Sequence, residues 1–178
     1  MVHSHSPQIT NFVKEFEQIH DGDLHQIGLQ PKPDPVGNWT EGYGHLMLDE
    51  QGRKLNVRQY PSIASVLKYS TIRTVAEALD QLDEDLRHTA IYVNVRLKVK
   101  VTQYQFDALV SHAYNCGFSE TLYRLINTRS SLKDIKNWFT TKYITADGVF
   151  LLGLQYRRND EYEIFIGKNY KREYKRSI

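Results

Sequence analysis

Asp34-Pro35-Val36-Gly37-Asn38-Trp39-Thr40-Glu41-Gly42-Tyr43-Gly44-His45 is the stretch on which the fold turns. Trp39, Glu41 and Tyr43 alternate with Thr40, Gly42 and Gly44, the two-residue period of a short strand. Asp34, Pro35 and the glycines are turn formers, so tight loops should join the strands. Five of the ten glycines lie from Gly22 to Gly44, and Pro31, Pro33 and Pro35 are three of the five prolines. A small β-lobe over about 21–52 is therefore expected.

Outward from this stretch the period becomes helical. Upstream, Ser6-Pro7 reads as a cap followed by proline at the first helical position. Ile9, Phe12, Val13, Phe16 and Ile19 then trace one apolar face over about 7–20. Downstream, Thr74-Val-Ala-Glu77 and Thr102-Gln-Tyr-Gln105 are capping-box patterns. The first opens a helix of about 18 residues marked by Leu79, Leu82, Leu86, Ala90 and Val93. The second opens a strongly apolar segment through Phe106, Leu109, Val110 and Ala113, expected to be a central buried helix ending near Gly117. Shorter helices are expected around 119–127 and 131–139, and a last one over 155–166. The sum is an α+β single domain: a helix, a β-lobe, a helical lobe over about 62–166 and a basic tail, 168–178.

Composition fits this plan. The 178 residues are 40% hydrophobic and 25% charged, enough for a core without staples. One cysteine, Cys116, excludes an intramolecular disulfide framework and a four-cysteine zinc site, and it reads as a buried, inert thiol. Net charge is only +2, but residues 1–89 carry 8 Lys+Arg against 13 Asp+Glu and residues 90–178 carry 15 against 8. An acidic half and a basic half suggest two faces and a polyanionic partner. No stretch is apolar enough to span a membrane, and the start does not resemble a secretory signal. Synthesis in the cytoplasm is expected, with release by other means.

Two carboxylates stand out. Glu17 falls in the last turn of the first helix, where the carbonyl ends disfavour a second negative charge, a setting that suits a general acid. Asp34 lies on the turn scaffold, and two carboxylates from separate elements could flank a glycosidic bond. The plainer alternatives are a solvated helix-end glutamate and a turn-forming aspartate. Gly42-Tyr-Gly44 does not make a nucleotide loop, because no third glycine and no Lys-Ser/Thr follow at the needed spacing.

Phe16-Glu17, followed by Asp34-x-x-Gly37-x-x-Thr40-x-Gly42-Tyr43-Gly44-His45, resembles the phage-type lysozymes, the endolysin muramidases. Three further blocks resemble the family in order: Gln105–Val110 with Ala113-Tyr-Asn-Cys-Gly117, Leu122–Asn127, and Gly153-Leu154-x-x-Arg157-Arg158-x-x-Glu161-x-x-Ile164-Phe165. The resemblance implies a lysozyme-like two-lobed fold with a cleft and cleavage of the β-1,4 bond between N-acetylmuramic acid and N-acetylglucosamine. It implies that Glu17 is the catalytic acid, that Asp34 helps activate water and that Thr40 positions it. Asn115 and Tyr43 fall to substrate, and Arg157 and His45 to support. Gln18 stands where the family has glycine, Glu41 replaces its isoleucine, and residues 20–28 are extra. Glu41 is expected either to face solvent from its strand or to enter the cleft.

Peptidoglycan is thus the expected partner of a monomer, with no cofactor and no metal. His3 and His5 form a pair with no third ligand fixed nearby, and His20, Asp21, Asp23 and His25 match neither the zinc-helix nor the calcium-loop spacing. Nucleic acid is not expected either: the basic tail, Lys168, Lys171, Arg172, Lys175 and Arg176, lacks a recognition fold and would hold the enzyme on an anionic envelope. Two alternatives remain open from the residues: a lytic transglycosylase, which needs one acid, and a wall-binding relative that has lost catalysis.

Overall fold

The computed structural model describes residues 3–19, 21–22, 25, 28–146 and 148–173. Of the residues singled out above, His20, Asp23, Lys175 and Arg176 lie outside them. The contacts divide the chain into two compact units, Glu17–Asp85 and Met1–Phe16 with Leu86–Ile178.

In the first unit, β1 (Lys32–Pro33), β2 (Trp39–Glu41) and β3 (His45–Leu46) form an antiparallel sheet in that order. Thr40 pairs with Lys32 on one side and with Leu46 on the other. β2 is buried along its whole length. Trp39 packs with Met47, Leu55 and Val66, and its indole N–H donates to the Tyr60 carbonyl at 2.8 Å. The short helix α2 (Ile63–Val66) closes that core. The extra segment is tied at its base, where Gly22 N–H donates to the Gln30 carbonyl and Asp21 accepts from Gln30 N–H, both at 3.1 Å.

The unit also corrects the reading of Glu41, which neither faces solvent nor enters a cleft. It is 2% exposed. Its carboxylate accepts from the Ser70 hydroxyl at 2.7 Å, from the Thr71 hydroxyl and N–H, and from Ile72 N–H at 3.2 Å. A buried carboxylate is tolerated only with such a set of donors, and this one pins the 70–72 loop to β2.

The second unit is mainly helical. α1 (Pro7–Glu17) starts at the proline, with the Ser6 hydroxyl accepting from Ile9 N–H. It stops three residues short of the expected His20, because Gln18 turns to φ +51°. α3 (Val75–Arg96) has 22 residues, belongs to the first unit up to Asp85 and to the second from Leu86, and opens on the Thr74–Glu77 capping box. α4 (Gln103–Cys116) opens on the reciprocal Thr102–Gln105 bonds. Phe106 to Ala113 are all buried, so α4 is a core helix rather than a surface one. It packs on α7 (Leu152–Phe165), which packs on α6 (Leu132–Thr141), which packs on α5 (Glu120–Asn127). Phe106, Leu109, Leu122, Phe139 and Ile164 are fully shielded, each contributing roughly 1.5–3 kcal/mol.

Buried Asp107 gathers both ends of the chain, accepting from the Ser6 hydroxyl and the Tyr170 hydroxyl, each at 2.6 Å. His3 is used in packing: its ring stacks on Phe106 and its backbone bonds Asn94. A hairpin absent from the sequence expectation, β4 (Thr145–Ala146) and β5 (Val149–Phe150), precedes α7. Its strands are too short to show a period. Among the described residues no helix is long and apolar enough to cross a membrane.

Candidate active site

Glu17 ends α1 and is half-buried. Gly44 lies against it: a Cβ on Gly44 would stand 3.6 Å from Glu17 Oε2. Gly44 has φ +90°, and its partner Gly42 has φ +58° and approaches Ala78 and Ile72 so closely that a Cβ would meet both. The paired glycines are therefore needed for conformation at both positions and for space at Gly42. They turn the chain from Glu41 to His45, the register pair that closes the β2–β3 hairpin.

Asp34 follows β1. Its Oδ1 accepts from Val36 N–H at 3.0 Å and Asn38 N–H at 2.8 Å, and its Oδ2 accepts from the Asn38 amide at 3.2 Å. This is an Asx turn, and it holds the carboxylate in one place. Asp34 comes two residues after Lys32, and Thr40 pairs with Lys32. The Thr40 hydroxyl is oriented by donating to the Lys32 carbonyl at 2.9 Å. Tyr43 is buried between the two glycines.

His45 Nδ1 lies 2.8 Å from Asp85 Oδ2, and Gln81 donates to the other oxygen of Asp85 at 2.9 Å. The hydrogen bond to Asp85 raises the imidazole above its usual value, with burial acting against it. His45 thus fastens the β2–β3 hairpin to α3.

The other two predicted residues, Asn115 and Arg157, belong to the helical unit. Arg157 is buried, donates to Glu161 Oε1 at 3.3 Å and lies 5.2 Å from the centroid of Phe16, the residue before Glu17. The Asn115 side-chain Oδ1 accepts from Arg158 at 3.0 Å. Arg158 and Glu161 are fully buried and paired at 2.8 Å, and the Ser111 hydroxyl donates to Glu161 at 2.8 Å. Asn115 and Arg157 therefore share one network through Arg158 and Glu161. Reading the residues singly missed the supporting roles of Ser111, Arg158 and Glu161. The signal was available in the i, i+3 and i+4 spacing of opposite charges on α7. Cys116 is half-buried, touches the Arg158 guanidinium and donates to Asn115 at 3.2 Å. Burial pushes its thiol up despite the guanidinium, which suits an unreactive side chain.

The family model for phage lysozyme matches residues 24–161, over three quarters of the chain. The chain belongs to the phage lysozyme family. The matched stretch holds Asp34, Thr40, Asn115 and Arg157, and Glu17 lies before it. The endolysin of Bacillus phage PZA is 30% identical over 162 residues, which is 87% of this chain and 52% of that protein. The chain spans about half the length of that relative, and 37% of the endolysin of Bacillus phage B103. Among solved structures, the endolysin from Escherichia coli O157:H7 phage FAHEc1 superposes with TM-score 0.70 at 24% identity, covering 95% of this chain and 97% of that one. The muramidase domain of SpmX from Asticaccaulis excentricus superposes at 0.63 with 25% identity, covering 92% and 98%. These likenesses establish the lysozyme-like α+β fold.

Against the phage lysozyme pattern, Gln18 keeps the left-handed backbone that glycine adopts without strain, at a cost of about 1 kcal/mol.

Proposed function

We propose that the chain hydrolyses the β-1,4 bond between N-acetylmuramic acid and N-acetylglucosamine of peptidoglycan, acting on the wall after release from the cytoplasm. Glu17 protonates the leaving oxygen. Asp34 and Thr40 hold a water on the opposite face of the sugar, so the anomeric carbon inverts. Asn115 and Tyr43 contact substrate, and Arg157 and His45 support the site. Family membership supports the reaction class. The observation that supports the residue assignment is Glu17 beside Gly44, in the turn of the hairpin whose strand β2 carries Thr40.

Two of the three departures that favour a wall-binding relative, Gln18 and Glu41 but not the extra segment 20–28, have structural occupations. Gln18 preserves the turn after α1, and Glu41 is spent on the 70–72 loop. Neither supports loss of catalysis.

The test is clearance of outer-membrane-permeabilised Gram-negative cells. Wild type clears them, and Glu17→Gln is slower by roughly 10²–10⁴-fold while still sedimenting with walls. Asp34→Asn keeps the Asx-turn acceptor, so its loss of activity reports chemistry rather than folding. NMR of the first-formed anomer and mass spectrometry of the fragments complete the test. Clearance by Glu17→Gln at the wild-type rate overturns the assignment. A retained anomer removes Asp34 and Thr40 from water activation, and an anhydro product replaces hydrolysis by transglycosylation.

A further inference from the structure

A second site lies in the helical unit, and none of its lining residues is among those assigned to hydrolysis. Arg96 at the end of α3, Lys98, Phe118, Tyr123, Arg124 and Asn127 line a pocket of about 680 Å³. That volume is within the range of small-ligand sites, roughly 300–1,000 Å³.

Its walls are fixed. The Asn127 side chain accepts from Lys98 N–H at 2.8 Å and donates to the Arg96 carbonyl at 2.9 Å, clamping the end of α3 to α5. The Arg96 guanidinium stands 4.1 Å from the Phe118 ring centroid. Phe118 in turn meets Tyr92 and Tyr123.

Its chemistry is one-sided. The lining carries three cationic residues, Arg96, Lys98 and Arg124, and one acid, Glu120. Among the described residues no ion pair joins Glu120 to any of them, and no side-chain hydrogen bond engages Lys98 or Arg124. Arg96 donates to the Tyr92 carbonyl at 3.3 Å, whereas Lys98 and Arg124 have no such helix-end acceptor among the described residues. The Arg96 carbonyl is taken by Asn127 and the Arg124 carbonyl by Thr128. Tyr123 adds an independent observation. It is 5% exposed, and its hydroxyl is shielded from solvent with no hydrogen-bond partner. A buried hydroxyl in that state is unfavourable until an acceptor or donor reaches it. Guanidinium, ammonium and phenol groups all offer donors, so an oxyanion is the ligand class that suits them together. A metal cation is repelled by the same three charges.

We propose that this pocket binds an anionic group of the bacterial wall polymer, a carboxylate or a phosphate ester. It would hold the enzyme on its substrate through residues that take no part in hydrolysis. The choice of the wall as the source rests on the proposed function; the oxyanion chemistry rests on the pocket alone.

Two measurements test it. Isotope-labelled protein is titrated with inorganic phosphate and with acetate at constant ionic strength. Saturable shifts are expected at Arg96, Lys98, Phe118, Tyr123 and Asn127. They should weaken about tenfold in the Lys98→Ala/Arg124→Ala double variant, as expected for losing charge-assisted hydrogen bonds. Tyr123→Phe should weaken them several-fold without loss of fold. Absence of saturable shifts, or equal shifts in the double variant, overturns the site.

Co-sedimentation then compares intact walls, walls stripped of phosphodiester polymer and walls with amidated carboxyls. Wild type should exceed the double variant on intact walls. Loss of that excess on stripping identifies a phosphate ester, and loss on amidation identifies a carboxylate. Persistence on both, or displacement of phosphate by duplex DNA with no excess on walls, overturns the wall assignment. Glu17→Gln should titrate like wild type, so a failed hydrolase with an intact pocket is distinguishable from a failed pocket.

Discussion

His112 sits on α4 at 1% exposure, ringed by Trp138, Phe139 and Tyr143. Its Nε2 has no hydrogen-bond partner. Burial, reinforced by Arg158 and Arg157, lowers its pKa from 6.5 to about 2. The folded state therefore refuses a proton that the unfolded chain accepts between these values. Stability is unaffected by this group above pH 6.5 and is lost as pH falls below it. At one pKa unit per 1.36 kcal/mol, the loss is about 2 kcal/mol at pH 5 and about 0.2 kcal/mol at pH 7. Replacement by Phe keeps a flat ring against the same aromatic partners and removes the titration. It also removes the unpartnered nitrogen, for about 1 kcal/mol at any pH. Urea denaturation of wild type and His112→Phe at pH 7 and pH 5 reads both effects. The stability difference should widen by about 2 kcal/mol at the lower pH, equivalent to roughly 4–8 °C in Tm for a chain of this size. A difference that is the same at both pH values would refute the reasoning, because it would mean that His112 gains its proton inside the fold.

Two more outcomes follow from the hairpin unit. Glu41→Ala strands the buried Ile72 N–H and removes the anchor of the 70–72 loop, so thermal melting should show a loss of about 3 kcal/mol. Ser70→Ala, whose partner keeps its other donors, should cost under about 1.5 kcal/mol; equal losses would contradict the anchor. His45 carries a raised pKa in the fold, so its contribution is complete below pH 6.5 and fades as pH rises through the folded value. Asp85→Asn should bring the His45 NMR titration back toward 6.5 and remove about 1 kcal/mol or less at pH 6, with little change well above the folded value. An unmoved titration would exclude Asp85 as the cause.

Local signals were legible because their partners lie within a few residues. The Thr102–Gln105 and Thr74–Glu77 boxes and the Ser6-Pro7 start are each complete within one helical turn. The Gly42 and Gly44 positions follow from a hairpin that needs left-handed backbone. Glu41 was not legible. Strand alternation places it on a face but says nothing of donors 29 to 31 residues away. The early stop of α1 at Glu17 was hidden because Ile19 continues the apolar period, although Gln18 leaves the helix.

By itself the sequence determined the α+β order of elements, the turns around Asp34–His45 and the motif series of the phage lysozyme family. All are short-range consequences of backbone sterics and apolar spacing. Tertiary structure alone decided which polar groups are buried and what they meet. Asp107 collects Ser6 and Tyr170 from 101 and 63 residues away, Glu161 takes Ser111, Arg157 and Arg158, and Tyr123 is left with none. The desolvation cost of a polar side chain depends on everything packed around it, so its fate is set by the assembled core and not by its neighbours in the chain.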